Sequence, residues 1–163
     1  MGRLAVEKAK QVHRRHPGLG FPLDMERLAG AEGCECLSWP FVGPVREVKR
    51  DYFIGLAQGL GEREKRCLIA HALAHHLMHT GNQLSFQGWQ KGSVSRQEQQ
   101  ADECSAHILM PEDELKKVEC LPVWEIAEHF GVLEDVARRR LTEFATDSEL
   151  RRWRRKDEKG KSP

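Results

Sequence analysis

Apolar positions follow a helical spacing along most of the chain and a strand-like pattern only briefly. Residues 3–15 set Leu4, Ala5, Ala9 and Val12, with Lys8, along one side of a charged segment. This spacing predicts an amphipathic helix, ended at His16-Pro17-Gly18 because proline disfavours helix in the residue before it. Pro22 predicts the start of a second short helix running to about Ala29, with Gly30 as its stop. Cys34–Trp39 and Asp51–Gln58 are short and apolar-rich, with Gly43-Pro44 breaking the chain between them, and predict two strands. A long helix is predicted over Glu62–His79, acidic in its first turn and followed by Gly81. Gly81–Ser95 is polar and glycine-containing, which predicts a loop. A second long helix is predicted over Ser95–Leu109, closed by Met110-Pro111. Pro111–Val118, Pro122–Phe130, Leu133–Phe144 and Asp147–Arg155 continue the helical pattern, and the closing KDEKGKSP reads as a frayed tail. Together these elements predict an α+β fold, mainly helical, with a small sheet early in the chain.

Composition narrows the function classes without choosing among them. The 163 residues are enough for one domain and a small appendage, and a hydrophobic fraction of 39% with 31% charged residues is ordinary for a soluble globular protein. A net charge of +1 commits the chain to neither nucleic acid nor membrane. No stretch approaches the roughly 18 uninterrupted apolar residues of a membrane span. The first residues, MGRLAVEKAKQVHRRHPG, carry charges where a secretory signal has an apolar run, so a cytoplasmic location is expected. Five cysteines without framework spacing argue against a disulfide scaffold, and Cys34-Glu35-Cys36 is too tightly spaced for a structural zinc pair.

The chemistry-bearing residues concentrate in the two long predicted helices. Four of the eight histidines fall within residues 71–79. His71 and His75, four residues apart, lie about 40° apart around a helix, so their imidazoles can reach a single tetrahedral metal ion. A third ligand is needed, and Glu98 on the following helix is the best candidate. Asp102, one turn beyond Glu98 on the same face, is placed to accept the outer N–H of a ligating histidine. Two imidazoles and a carboxylate suit zinc first. The plain alternative is a pair of polar histidines in the core or on the surface. His79 shares the stripe as a possible ligand, although its place in the last turn also suits it to helix-end carbonyls. His76 points away from His71, Cys67 is expected to pack as a small hydrophobe, and His107 faces the opposite side of its helix.

The C-terminal helices offer a different chemistry. Ala127-x-x-x-Gly131-Val132, followed by a helix bearing Arg138, Arg139 and Arg140, has the outline of a helix-turn-helix, and Arg151, Arg152, Arg154 and Arg155 add positive charge. Seven acidic residues between Glu125 and Glu149 interleave with these arginines and dilute any phosphate-tracking patch, so direct nucleic-acid binding is not expected. Trp124 and Trp153 are expected to pack rather than stack on bases.

Two segments carry a family resemblance. Arg66-Cys67-Leu68-Ile69-Ala70-His71-Ala72-Leu73-Ala74-His75, then Glu98-Gln99-Gln100-Ala101-Asp102 leading to Ile108-Leu109-Met110-Pro111, resembles the ImmA/IrrE family of metallopeptidases. Ile126–Val132, Val136 and Arg140-Leu141 are similar to that family's helical ending. The resemblance, which covers roughly residues 50–145, implies a zincin-like, gluzincin-type domain, expected over residues 1–118, and a helical subdomain over 119–156, with the tail at 157–163 expected to be disordered from its own composition. It implies zinc held by His71, His75 and Glu98, and a small antiparallel sheet beside the metal-binding helix. The edge strand of that sheet, here Tyr52, Phe53, Ile54, Gly55 and Leu56, would receive a substrate chain by strand addition. It also implies a protein substrate, a helix-turn-helix repressor cleaved in stress or phage regulation.

One position departs from the family. Where the family has the glutamate that takes a proton from the attacking water, this chain has Ala72, which cannot accept one. The expectation is therefore a metal-binding protein with weak or no proteolysis, either a peptidase whose base was deliberately replaced or a natural pseudoenzyme that sequesters a repressor or peptide.

Overall fold

The computed structural model describes residues 2–78 and 91–145, the side chains of 91–95 excepted. His79, the expected helix over Asp147–Arg155, Trp153 and the terminal tail lie outside the described residues, as does most of the loop expected over Gly81–Ser95.

Among the described residues seven helices and three strands follow in the order α1 (Arg3–Arg15), α2 (Met25–Ala31), β1 (Glu35–Trp39), β2 (Glu47–Arg50), β3 (Phe53–Ala57), α3 (Glu62–Met78), α4 (Lys91–Leu109), α5 (Glu112–Val118), α6 (Val123–Phe130) and α7 (Glu134–Phe144). The fold is mainly helical with one small sheet. α4 begins four residues before the expected Ser95. α2 departs further: it starts at Met25, where the Asp24 carboxylate caps it by accepting from the Arg27 N–H at 3.1 Å, and it runs through Gly30. The cap residue, not Pro22, sets the helix start.

The sheet corrects two expectations. It is mixed rather than antiparallel, in the order β1-β3-β2, with β1 parallel and β2 antiparallel to β3. Tyr52–Leu56 is consequently not an edge strand: Tyr52 lies in the turn, and β3, with Phe53, Ile54, Gly55 and Leu56, is hydrogen-bonded on both sides. The physical reason lies in the third strand. β2 carries Glu47, Lys49 and Arg50, a charged and short strand of the kind that can tolerate an open edge, and it takes the outside position beside the apolar β3. Asp51, with φ of 50°, turns the chain between them, a conformation aspartate accepts more readily than most residues.

Alternation along the strands decides what faces the helices. Ile54 and Leu56 are buried, and they pair with Lys49 and Glu47 respectively, so these two charged side chains share the helix-facing side of the sheet. Lys49 is buried there and donates to the Asp51 carbonyl at 2.6 Å. α3 packs on this face, on α2 and along α4, with Ile69, Ala70, Leu73 and Ala74 in the core beside Ala101, Cys104 and Ile108 of α4.

The C-terminal helices close the core with Ile126, Ala127, Phe130, Val132, Ala137 and Leu141. Gly131 ends α6 in the left-handed conformation, φ 59° and ψ 39°, and its carbonyl accepts from Arg66 of α3 at 2.6 Å. Arg66 also donates to the Leu23 carbonyl at 2.9 Å, so one guanidinium joins three parts of the chain. Trp124, expected to pack, is 58% exposed because it lies on the solvent side of α6.

Candidate metal centre

Helix α3 turns His71 and His75 to the side along which α4 runs. His75 is buried at 2% exposure and His71 is half-buried. Their rings stand nearly perpendicular, at 80° with centroids 4.7 Å apart, and the two Nε2 atoms are 3.1 Å apart. Glu98 of α4 meets both: one carboxylate oxygen is 3.1 Å from His71 Nε2, the other 3.0 Å from His75 Nε2. The three expected ligand residues therefore form a triangle in which each pair is in contact at 3.0–3.1 Å, Glu98 turning a different oxygen to each imidazole.

The donor set fits a zinc ion. Tetrahedral zinc with ligand bonds of about 2.0–2.1 Å holds its ligand atoms roughly 3.3 Å apart, and one donor atom from each of the three residues lies within 4.8 Å of the other two. The other side of His71 is arranged to match. Its Nδ1 lies 3.1 Å from Asp102 Oδ1, which accepts the Nδ1 proton, so that loss of the Nε2 proton to an incoming cation would leave the Nε2 lone pair facing the other two residues. Arg139 of α7 donates to the second Asp102 oxygen at 3.5 Å.

Electrostatics express the same arrangement. Burial alone would lower His71, but hydrogen bonds to Asp102 and Glu98 and the nearby Glu47 charge outweigh it and raise His71 to about 10. The hydrogen bond to His71 in turn lowers Glu98 and Asp102 against the opposing effect of burial. A dication would replace the His71 proton in this role.

Ala72, at the position of the family's base, is completely buried. His76 leaves the site as expected, its ring against Tyr52 with centroids 6.4 Å apart. His107 sits on the far side of α4, where burial, with Arg140 nearby, lowers it to about 4.

Glu47 is the residue that the sequence did not single out. It stands on β2, within electrostatic reach of His71 and Glu98, and burial together with the Glu98 charge lifts it to about 7 although His71 opposes the shift. The only sequence signal for it was a charged run, Arg46-Glu47-Val48-Lys49-Arg50, with one apolar residue in five.

The arginines of the C-terminal helices are engaged within the protein. Arg138 pairs with Glu134 at 2.6 Å and Arg139 with Asp102. Arg140 is buried, donates to the Met110 carbonyl at 3.0 Å and lies over the Phe144 ring.

Residues 42–142 match the family model described as the IrrE N-terminal-like domain, peptidase M78, a span that includes every residue of the triangle. Among solved structures the chain is similar to a Mycobacterium tuberculosis transcriptional regulator, with a TM-score of 0.63 and 15% identity over 87% of this chain. The match covers 47% of the regulator, so this chain spans about half of that length. No curated protein matches the sequence.

Proposed function

The chain belongs to the IrrE N-terminal-like domain family, peptidase M78, and from that membership we propose that it binds one zinc ion through His71, His75 and Glu98 and acts on a helix-turn-helix transcriptional repressor as a weak metallopeptidase. The convergence of His71, His75 and Glu98, each pair in contact at 3.0–3.1 Å, carries this conclusion. Zinc bound there would act as a Lewis acid on a peptide carbonyl and make water more acidic. The protein's own part is to present two neutral imidazoles and one carboxylate, with Asp102 fixing the His71 tautomer. A general base is typically worth about 10²–10⁴-fold in rate, and Ala72 supplies none. Five free thiols are in keeping with a cytoplasmic setting, and among the described residues no helix is long and apolar enough to cross a membrane.

The test is incubation of the zinc-loaded protein and its Ala72→Glu variant with a repressor encoded beside it. Zinc-dependent fragments, formed faster by the variant, support the proposal. If both proteins hold zinc and neither cuts, the peptidase function is wrong.

A second function, sequestration of a repressor without cleavage, is favoured by the complete burial of Ala72, since the helix has packed around a methyl group at that position. It predicts a stable complex that survives long incubation intact. DNA binding through α6 and α7 has less support, because Arg138, Arg139 and Arg140 each meet an internal partner.

A further inference from the structure

We propose that the outer face of the sheet is a dimer interface, on which a second copy of this chain packs face to face about a twofold axis running along β3. The inference goes beyond the function proposed above and does not depend on it, because none of the three metal-binding residues belongs to this face.

Alternation along the strands defines the surface. Ile54 and Leu56 turn inward to the helices, so Phe53 and Gly55 turn outward. The register sets Leu37 of β1 and Val48 of β2 on either side of Gly55, and Glu35 and Arg50 on either side of Phe53. The helices that contact the sheet, α2 and α3, cover its opposite face. On the outer side the Phe41 ring rests over Gly55, 3.4 Å from where a Cβ would stand, and Trp39 lies beside it. Val45 lines one groove with Trp39 and Phe41, which extends the apolar surface onto the β1–β2 connection.

The exposures decide that this face is more than ordinary surface. Leu37 is 36% exposed, Trp39 55%, Val42 96%, Val45 42% and Phe53 47%. A sheet face left to water normally alternates to polar residues, and here it does not. These five side chains leave on the order of 600 Å² of apolar area open, the upper end of what one patch on a monomer shows. With its polar margin the face approaches the roughly 800 Å² per partner of a standard interface.

The charges at that margin select a copy of the same chain as the occupant. Glu35 and Arg50 are exposed, and their side chains form no ion pair among the described residues. Rotation about β3 exchanges the two flanks of the sheet. Glu35 then faces the partner's Arg50, Arg50 faces the partner's Glu35, Leu37 meets the partner's Val48, and Phe53 meets its own counterpart. Two sheets aligned in this way pack about 10 Å apart. A twofold axis across the strands would instead press Glu35 against the partner's Trp39. The pattern is therefore complementary to itself in one orientation, as an isologous interface requires.

The experiment is sedimentation equilibrium of the full chain, alone and as charge-swapped variants. The chain should show twice the mass of a single copy at micromolar concentration. Phe53→Arg, which places two like charges on the axis, should give a monomer with unchanged circular dichroism and zinc content. Glu35→Arg and Arg50→Glu should each weaken the dimer roughly 10-fold, since each breaks two exposed pairs and sets like charges together. The double variant should restore the original dissociation constant, a recovery that loss of folding cannot imitate. If Phe53→Arg fails to fold, the charge swap and its recovery still decide the matter. A monomer at every concentration up to about 100 μM, weaker than any dissociation constant this interface should have, overturns the proposal and leaves the face to solvent or to a different protein. A dimer that withstands Phe53→Arg, or a double variant no tighter than the single ones, overturns it as well.

Discussion

The two sides of helix α4 treat the same imidazole in opposite ways. Toward α3, His71 is surrounded by Glu98 and Asp102 and is raised to about 10. Toward α1 and α7, His107 is half-buried, with Arg140 near it, and is lowered to about 4 by that burial. Its buried Nε2 has no hydrogen-bond partner among the described residues. One histidine is thus held charged by carboxylates that a metal ion can inherit, while the other is held neutral at the margin of the core. Histidine content therefore says little; the groups converging on each ring decide whether it belongs to a site.

Substitutions on the two sides of α4 should separate in what they damage. The largest effect is expected on the core side, at Ile108, which is fully buried. Ile108→Ala should lower unfolding free energy by about 2–5 kcal/mol, read by denaturant titration, while zinc stoichiometry remains unchanged. On the site side, Asp102→Asn should leave the fold intact and weaken zinc binding about 10–100-fold, measured by competition with a chelating dye. A loss of stability without loss of affinity there would break the division between the two sides.

Ala72→Glu tests the packing beneath the site. The methyl of Ala72 is wholly buried, so the larger, charged side chain should cost about 1–3 kcal/mol of stability. The melting temperature of the zinc-free variant should fall accordingly; an unchanged value would mean that the position has room for a base.

The smallest effect concerns pH, and its two arms have opposite sign. His107 has a folded value below its ordinary 6.5, so the unfolded chain takes up the proton first. Its contribution to stability is retained above about 6.5 and is lost as pH falls toward 4. His71 has a folded value above 6.5, so in the zinc-free protein its contribution is complete below 6.5 and is lost as pH rises through about 10. Melting temperatures of the zinc-free protein across this range should show both arms, and His107→Leu should flatten the acidic one alone. A variant that keeps the full acidic slope would show that His107 is not its source.

The helical part of this arrangement was legible in the sequence because helical spacing is itself geometry. The four-residue steps His71–His75 and Glu98–Asp102 fix which side chains share a face, and the structure brings those faces together at hydrogen-bonding distance. The family match over 42–142 supports the same segments. The sheet was not legible to the same degree. β2 has a single apolar residue, Val48, so its pattern carries no strand signal, and its presence outside β3 turns an expected edge into the middle of the sheet. Glu47 was hidden for the same reason. Its place on the helix-facing side of the sheet arises from a strand pairing, Glu47 with Leu56, that no local spacing encodes. The start of α2 was missed through a competing signal, Pro22, when the capping carboxylate of Asp24 was the deciding group.

The central claim is that His71, His75 and Glu98 hold one zinc ion. Elemental analysis of the purified protein and of His75→Ala, both dialysed against metal-free buffer after exposure to zinc, tests it most directly. The account predicts one zinc per chain in the first and essentially none in the second. Equal zinc in both, or zinc in neither, would contradict it.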